Sequence, residues 1–175
     1  MLQRLTFERY PHNYLLSRAL EQGKRDIRDL IFGKKLAVPM NSNLSCSCRS
    51  GNLNLVKETY EILSTDLKRI DVRPALHISI RIGNYEMINF LLEKGKPADL
   101  NYALSRSIFR EGTLMMKHFI VKGADNFDEC IILLLQRIAD GKQLKNHLKS
   151  NQLESYKKYR SNLKNNLKYL QSLIT

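Results

Sequence analysis

The run Pro74-Ala75-Leu76-His77-Ile78-Ser79-Ile80-Arg81-Ile82-Gly83-Asn84 reads as one short helix stopped by a glycine. Leu76 and Ile80 lie one helical turn apart and share a face. Gly83 suits the stop, because the residue after a helix often takes φ > 0, where glycine carries no Cβ penalty. Met87-Ile88 and Leu91-Leu92 then repeat the one-turn spacing, and Gly95 closes the segment. The unit is helix, tight turn, helix.

The same unit recurs in both directions. Gly23, Gly51, Gly83, Gly112 and Gly141 are separated by 28, 32, 29 and 29 residues. Small or apolar residues at helical spacing precede each one: Leu15-Leu16-Ala19-Leu20, Leu44-Cys46-Cys48, Leu76-Ile78-Ile80, Ala103-Leu104-Ile108 and Ile132-Leu134-Leu135-Ile138. Four residues after the first four glycines stand Ile27, Leu55, Met87 and Met116, with further apolar groups one turn on. Gly33, Gly95 and Gly123 close three of the units and are expected to stop the second helix as the first glycine stops the first. A helix pair this short cannot bury its own apolar face, so neighbouring pairs must stack to make one core.

The residues Pro74–Gly95, with Leu76-His77 at the opening, resemble an ankyrin repeat, and Gly123-Ala124-Asp125 resembles its closing Gly-Ala-Asp. The resemblance is good over Pro74–Gly95, moderate over Tyr102–Asp125 and weaker elsewhere between Tyr14 and Gly141. The opening Thr-Pro is missing from the other repeats, and Lys145 takes the place of an apolar partner after Gly141. Degenerate Asn/Lys/Ile-rich phrases such as Gly83-Asn84-Tyr85-Glu86-Met87-Ile88 also resemble the ankyrin-like multigene-family proteins of large DNA viruses, of the African swine fever virus type. That resemblance implies a short relative working in the cytoplasm of a host cell, antagonising innate immune signalling through interferon or NF-kB.

Composition agrees with a packed, helical, non-membrane chain. Of 175 residues 43% are hydrophobic, Pro is scarce, and no apolar run approaches the roughly 18 residues of a membrane span. Nothing at the N-terminus reads as a signal peptide. Cys46, Cys48 and Cys130 are too few for a disulfide framework, which favours a reducing, intracellular setting.

Catalytic and cofactor chemistry find little footing. His12, His77, His118 and His147 share no spacing, and the ankyrin likeness gives His77 a structural role within its own turn. Cys46-Ser47-Cys48 offers two thiolates where zinc wants four ligands, so packing on an inner helix is the simpler role. No phosphate-cradling glycine loop or metalloprotease motif occurs. The expectation is a non-enzymatic chain without cofactor or metal.

Charge carries more information. The net charge is +12, and residues 142–175 hold eight Lys/Arg against Glu154 alone, hence +7. Lys157, Lys158, Arg160, Lys164 and Lys168 are candidate contacts for phosphate or acidic surfaces, or the solvated face of a helix. Leu153, Tyr156, Leu163, Leu167, Leu170 and Ile174 follow a 3-4 spacing broken by Arg160, so this helix either caps the stack or packs on a partner. In the repeats, Arg49, Arg81 and Arg110 each precede a glycine by two residues. Equivalent positions in stacked units share a face, so these arginines are candidate partner-binding residues with Lys94 and Lys96. Otherwise they are solvated cations at helix C-termini.

The sequence therefore predicts an all-α stack of four to five degenerate helix-turn-helix repeats over 1–141, with a basic C-terminal capping helix over 142–175. Helices are expected near 15–22, 26–32, 44–50, 54–64, 75–82, 86–94, 102–110, 114–122, 128–139 and 152–173. The expected core is Leu76, Ile80, Met87, Leu91, Leu104, Ile108, Met116, Phe119, Ile120 and Leu134. The expected function is a protein-protein interaction module with a host or viral protein as partner, and the alternative is a basic nucleic-acid-binding accessory protein.

Overall fold

The computed structural model describes residues 2–110, 113–144 and 150–174, with side-chain packing for 12–110, 113–141 and 154–174. The Gly112 turn, Lys142, Lys145, Lys149, His147 and Leu153 lie outside what is described at side-chain level. Every regular element among the described residues is a helix. The chain divides into two compact units, Met1–Lys96 and Pro97–Thr175.

The first unit holds α1 (Leu2–Glu21), α2 (Arg25–Gly33), α3 (Asn41–Arg49), α4 (Leu53–Asp66), α5 (Arg73–Ile82) and α6 (Tyr85–Lys94). Two of its turns, α3–α4 and α5–α6, follow from Gly-Asn pairs. Gly51 and Gly83 adopt φ of 74° and 82°, in the left-handed region. Asn52 and Asn84 then cap the next helix, each side-chain oxygen accepting from the N–H of Leu55 at 3.2 Å and Met87 at 3.0 Å. Such a cap contributes about 1 kcal/mol. One residue ends a helix and its neighbour begins another.

Within this unit α3 packs against both α1 and α5, and each of the three also packs on its own second helix. A helix flanked on several sides has little surface left, and residues 43–48 are all buried. Small side chains let the neighbouring helices approach, which accounts for Ser45-Cys46-Ser47-Cys48 in place of larger apolar groups. The hydroxyl of Ser47 donates to the Leu44 carbonyl at 2.8 Å, so a polar side chain is buried at small cost. All three cysteines are buried free thiols.

The second helices bury matching positions. Leu55, Val56 and Thr59 of α4 correspond to Met87, Ile88 and Leu91 of α6, and all are buried. In α2 the pattern breaks: Ile27, at the position of buried Leu55 and Met87, is 42% exposed, while Arg28 takes the place held by Val56 and Ile88. Arg28 is tolerated because its guanidinium pairs with Glu58 of α4 at 2.7 Å and with Asp29 at 2.6 Å. Burial opposes its charge, but the hydrogen bonds to Glu58 and Asp29 outweigh that and raise its pKa.

Asparagines tie α1 and α3 to the loop that enters the next pair. Asn13 accepts from the N–H of Val38 at 3.0 Å, and Asn41 from that of Asp71 at 3.1 Å. In the second unit Asn101 accepts from the N–H of Asp125 at 3.1 Å.

The second unit holds α7 (Pro97–Ser107), α8 (Leu114–Val121), α9 (Phe127–Leu144) and α10 (Ser150–Gln171). Leu104, Ile108, Met116, Phe119, Cys130, Leu134, Leu163 and Leu170 are buried, whereas Ile120, expected in the core, is half-buried. The apolar side of α10 faces inward and packs on α9. Buried Asn166 pins it further, its amide donating to the carbonyls of Ile108 at 2.8 Å and Arg110 at 3.1 Å. Ile174, expected on the packed stripe, is 52% exposed just past the end of α10.

Two glycine expectations need correction. Gly141 makes no turn but lies inside α9, where the Tyr156 hydroxyl donates to its carbonyl. A Cβ there would meet that oxygen at 3.0 Å, so a close approach explains the glycine. Among the closing glycines only Gly123 is left-handed, at φ 97°, whereas Lys35 takes that conformation after α2 and Gly95 has φ −83°.

Candidate functional site

The two expected basic surfaces belong to different units. Arg49 is the last residue of α3 and Arg81 the penultimate residue of α5. Both are exposed, and both precede a left-handed glycine by two residues, so successive repeats place them equivalently. Arg49 is steered by Glu21 at the end of α1, with Nη1 to Oε1 2.6 Å. Arg110 differs. It lies in the second unit beyond the end of α7 and is half-buried, and its carbonyl is held by Asn166.

Lys94 ends α6 and approaches two rings that pack edge to face, Tyr60 of α4 and Phe90 of α6. Its Nζ lies 5.7 Å from the Tyr60 centroid and 5.9 Å from that of Phe90. Lys57 approaches Phe90 from α4 at 5.9 Å. These cation–π contacts hold the ammonium groups near half-buried rings. Lys96 is exposed just past α6. The aromatic component of this surface was missed in the sequence, because Tyr60 and Phe90 meet only when α4 and α6 pack.

The other surface is the solvent side of α10. Lys157, Lys158, Lys164 and Lys168 are exposed, and Arg160 is half-buried. Lys157 pairs with Glu154 at 2.6 Å. Tyr156, Lys157, Arg160, Ser161 and Lys164 line a groove of about 240 Å³.

The titratable residues expected to be inert are scattered among the described elements. No group of three or more His, Cys, Asp or Glu is suited to a metal ion there. Burial pushes the Cys48 and Cys130 thiols up to about 11, and raises Cys46 as well, so all three favour the neutral form. His77 is exposed on α5, His12 is half-buried on α1, and His118 lies edge-on to Phe119 at 5.5 Å. Burial, with Lys122 nearby, lowers the His118 pKa. No described helix is long and apolar enough to cross a membrane.

The family model described as ankyrin repeat matches residues 73–103. No curated protein and no solved structure matches the chain. The chain thus carries an ankyrin repeat that begins with α5 and α6, and in the first unit α1–Gly23–α2 and α3–Gly51–α4 follow the same plan of helix, left-handed glycine and helix.

Proposed function

We propose that the chain is a non-catalytic adaptor that binds a protein partner through the first unit, using Arg49 and Arg81 with Lys94 and Lys96 beside them. An ankyrin repeat suggests protein-protein interaction in general. The observation that carries the finer reading is the equivalent placement of exposed Arg49 and Arg81 ahead of two left-handed glycines. A guanidinium fork recognises carboxylate or phosphate bidentately, so the partner should present acidic or phosphorylated side chains. Arg110 contributes less, since it is half-buried in the second unit. Affinity capture with the wild-type chain and an Arg49→Gln/Arg81→Gln variant tests this. A specific partner should be lost with the variant, and full retention would overturn the reading.

The viral resemblance of the Gly83–Ile88 phrase motivates a finer statement: antagonism of interferon or NF-kB signalling in the host cytoplasm. Expression of the chain in cells carrying interferon and NF-kB reporters tests it. Reduced induction of either reporter is the expected result, and unchanged induction of both would refute it.

A further inference from the structure

The solvent face of α10 carries a line of cations. Lys157, Arg160, Lys164 and Lys168 are spaced 3, 4 and 4 residues apart. At 100° per residue the first and last differ by only about 20° around the helix, and they span about 16 Å along it. The opposite side is occupied: Leu163, Asn166 and Leu170 are buried in the second unit. The basic stripe is therefore held facing outward by the packing of its own helix.

The stripe includes a concave element. Lys157, Arg160, Ser161 and Lys164 line the groove, with Tyr156 tied to the Gly141 carbonyl at its edge. The Arg160 Nε–H is shielded from solvent and meets no hydrogen-bond acceptor. Glu154 is the single acid on α10, and it already pairs with Lys157. The groove lining holds three cations and no carboxylate.

We infer that the α10 stripe binds the phosphate backbone of nucleic acid, with Lys157, Arg160, Lys164 and Lys168 each neutralising one phosphate along the strand and Ser161 beside the phosphate in the groove. Several cations in a line suit a polymer with regularly repeated charges. A membrane fits less well, because the apolar side of α10 is already buried and cannot insert. An acidic protein fits less well too, because the stripe lacks the exposed aromatic or aliphatic anchors that dominate protein interfaces.

Fluorescence anisotropy of the full chain with a labelled oligothymidylate, a duplex DNA and a duplex RNA tests the inference. Binding should weaken steeply with salt, with a log–log slope of about −3 for the single strand if four phosphates are neutralised. Arg160→Gln/Lys164→Gln/Lys168→Gln should melt as the parent does, reduce the slope by about 2 and weaken binding on the order of tenfold or more at moderate salt. Ser161→Asp, which introduces a carboxylate in the groove, should weaken binding without touching the cations. Salt-insensitive or undetectable binding by the parent would overturn the inference. So would equal binding by the triple variant, or competition by polyglutamate or anionic vesicles as strong as by unlabelled oligonucleotide.

Discussion

Gly51 and Gly33 look alike in sequence and do opposite work. Gly51 has φ 74°, and a Cβ there would meet nothing within 4 Å, so only the backbone objects to a side chain. Gly51→Ala should cost about 1–2 kcal/mol, the penalty for an L-residue in the left-handed region. Gly33 ends α2 without a positive φ and also faces open space. Gly33→Ala should raise stability by about 0.4–1 kcal/mol by restricting the unfolded chain. Urea midpoints of the two variants check both signs. The glycine period made the turns at Gly23, Gly51 and Gly83 readable in the sequence. Gly141 was misread because its cause, the approach of Tyr156, comes from fifteen residues further along the chain. Arg28 was unreadable for the same reason, since its buried charge depends on Glu58 of a later repeat.

At the level of elements, the apolar spacing of α4 to α8 was enough to place most of their buried faces. Leu91→Ala in α6 should cost about 2–5 kcal/mol in a denaturation experiment, because the side chain is fully buried. The docking of α10 was only half legible. The leucine spacing predicted a packed side, but the polar pin, Asn166, reads in sequence as one more surface asparagine. Asn166→Leu keeps the branched shape but strands the carbonyls of Ile108 and Arg110, so it should cost about 1–3 kcal/mol. Amide exchange in α10 should accelerate more than in α5. The thiols give a pH signature for α3 and α9. Their native pKa values are raised above the ordinary value of 9.0, to about 11 for Cys48 and Cys130. The unfolded chain therefore releases these protons first, and their contribution to stability is full below pH 9 and lost as pH rises through 11. Thermal melts across that range should show the decline, and Cys48→Ser/Cys130→Ser should flatten it.

Across the whole molecule, charge is divided between two surfaces of different character. The first unit offers arginines at repeat ends beside an aromatic pair, and the second offers a linear cationic stripe on α10. The helical architecture could be read from periodicity because each repeat restates the same local rule. The functional surfaces could be read only as candidates, because exposure and pairing depend on which helices meet. Glu21 beside Arg49 and Asn166 beside the end of α7 come from distant segments. An exposed ion pair such as Arg49–Glu21 contributes only about 0–1 kcal/mol, so replacing Arg49 and Arg81 by Gln should leave folding nearly intact. That separation of stability from binding makes the central claim accessible. The direct measurement is quantitative affinity capture with nuclease-treated extract, comparing the parent, Arg49→Gln/Arg81→Gln, and Arg160→Gln/Lys164→Gln/Lys168→Gln at equal folded concentration. The account predicts a protein partner retained by the parent and by the α10 variant, and lost on the order of tenfold or more by the Arg49/Arg81 variant. Equal capture by all three proteins, or loss only with the α10 variant, would contradict it.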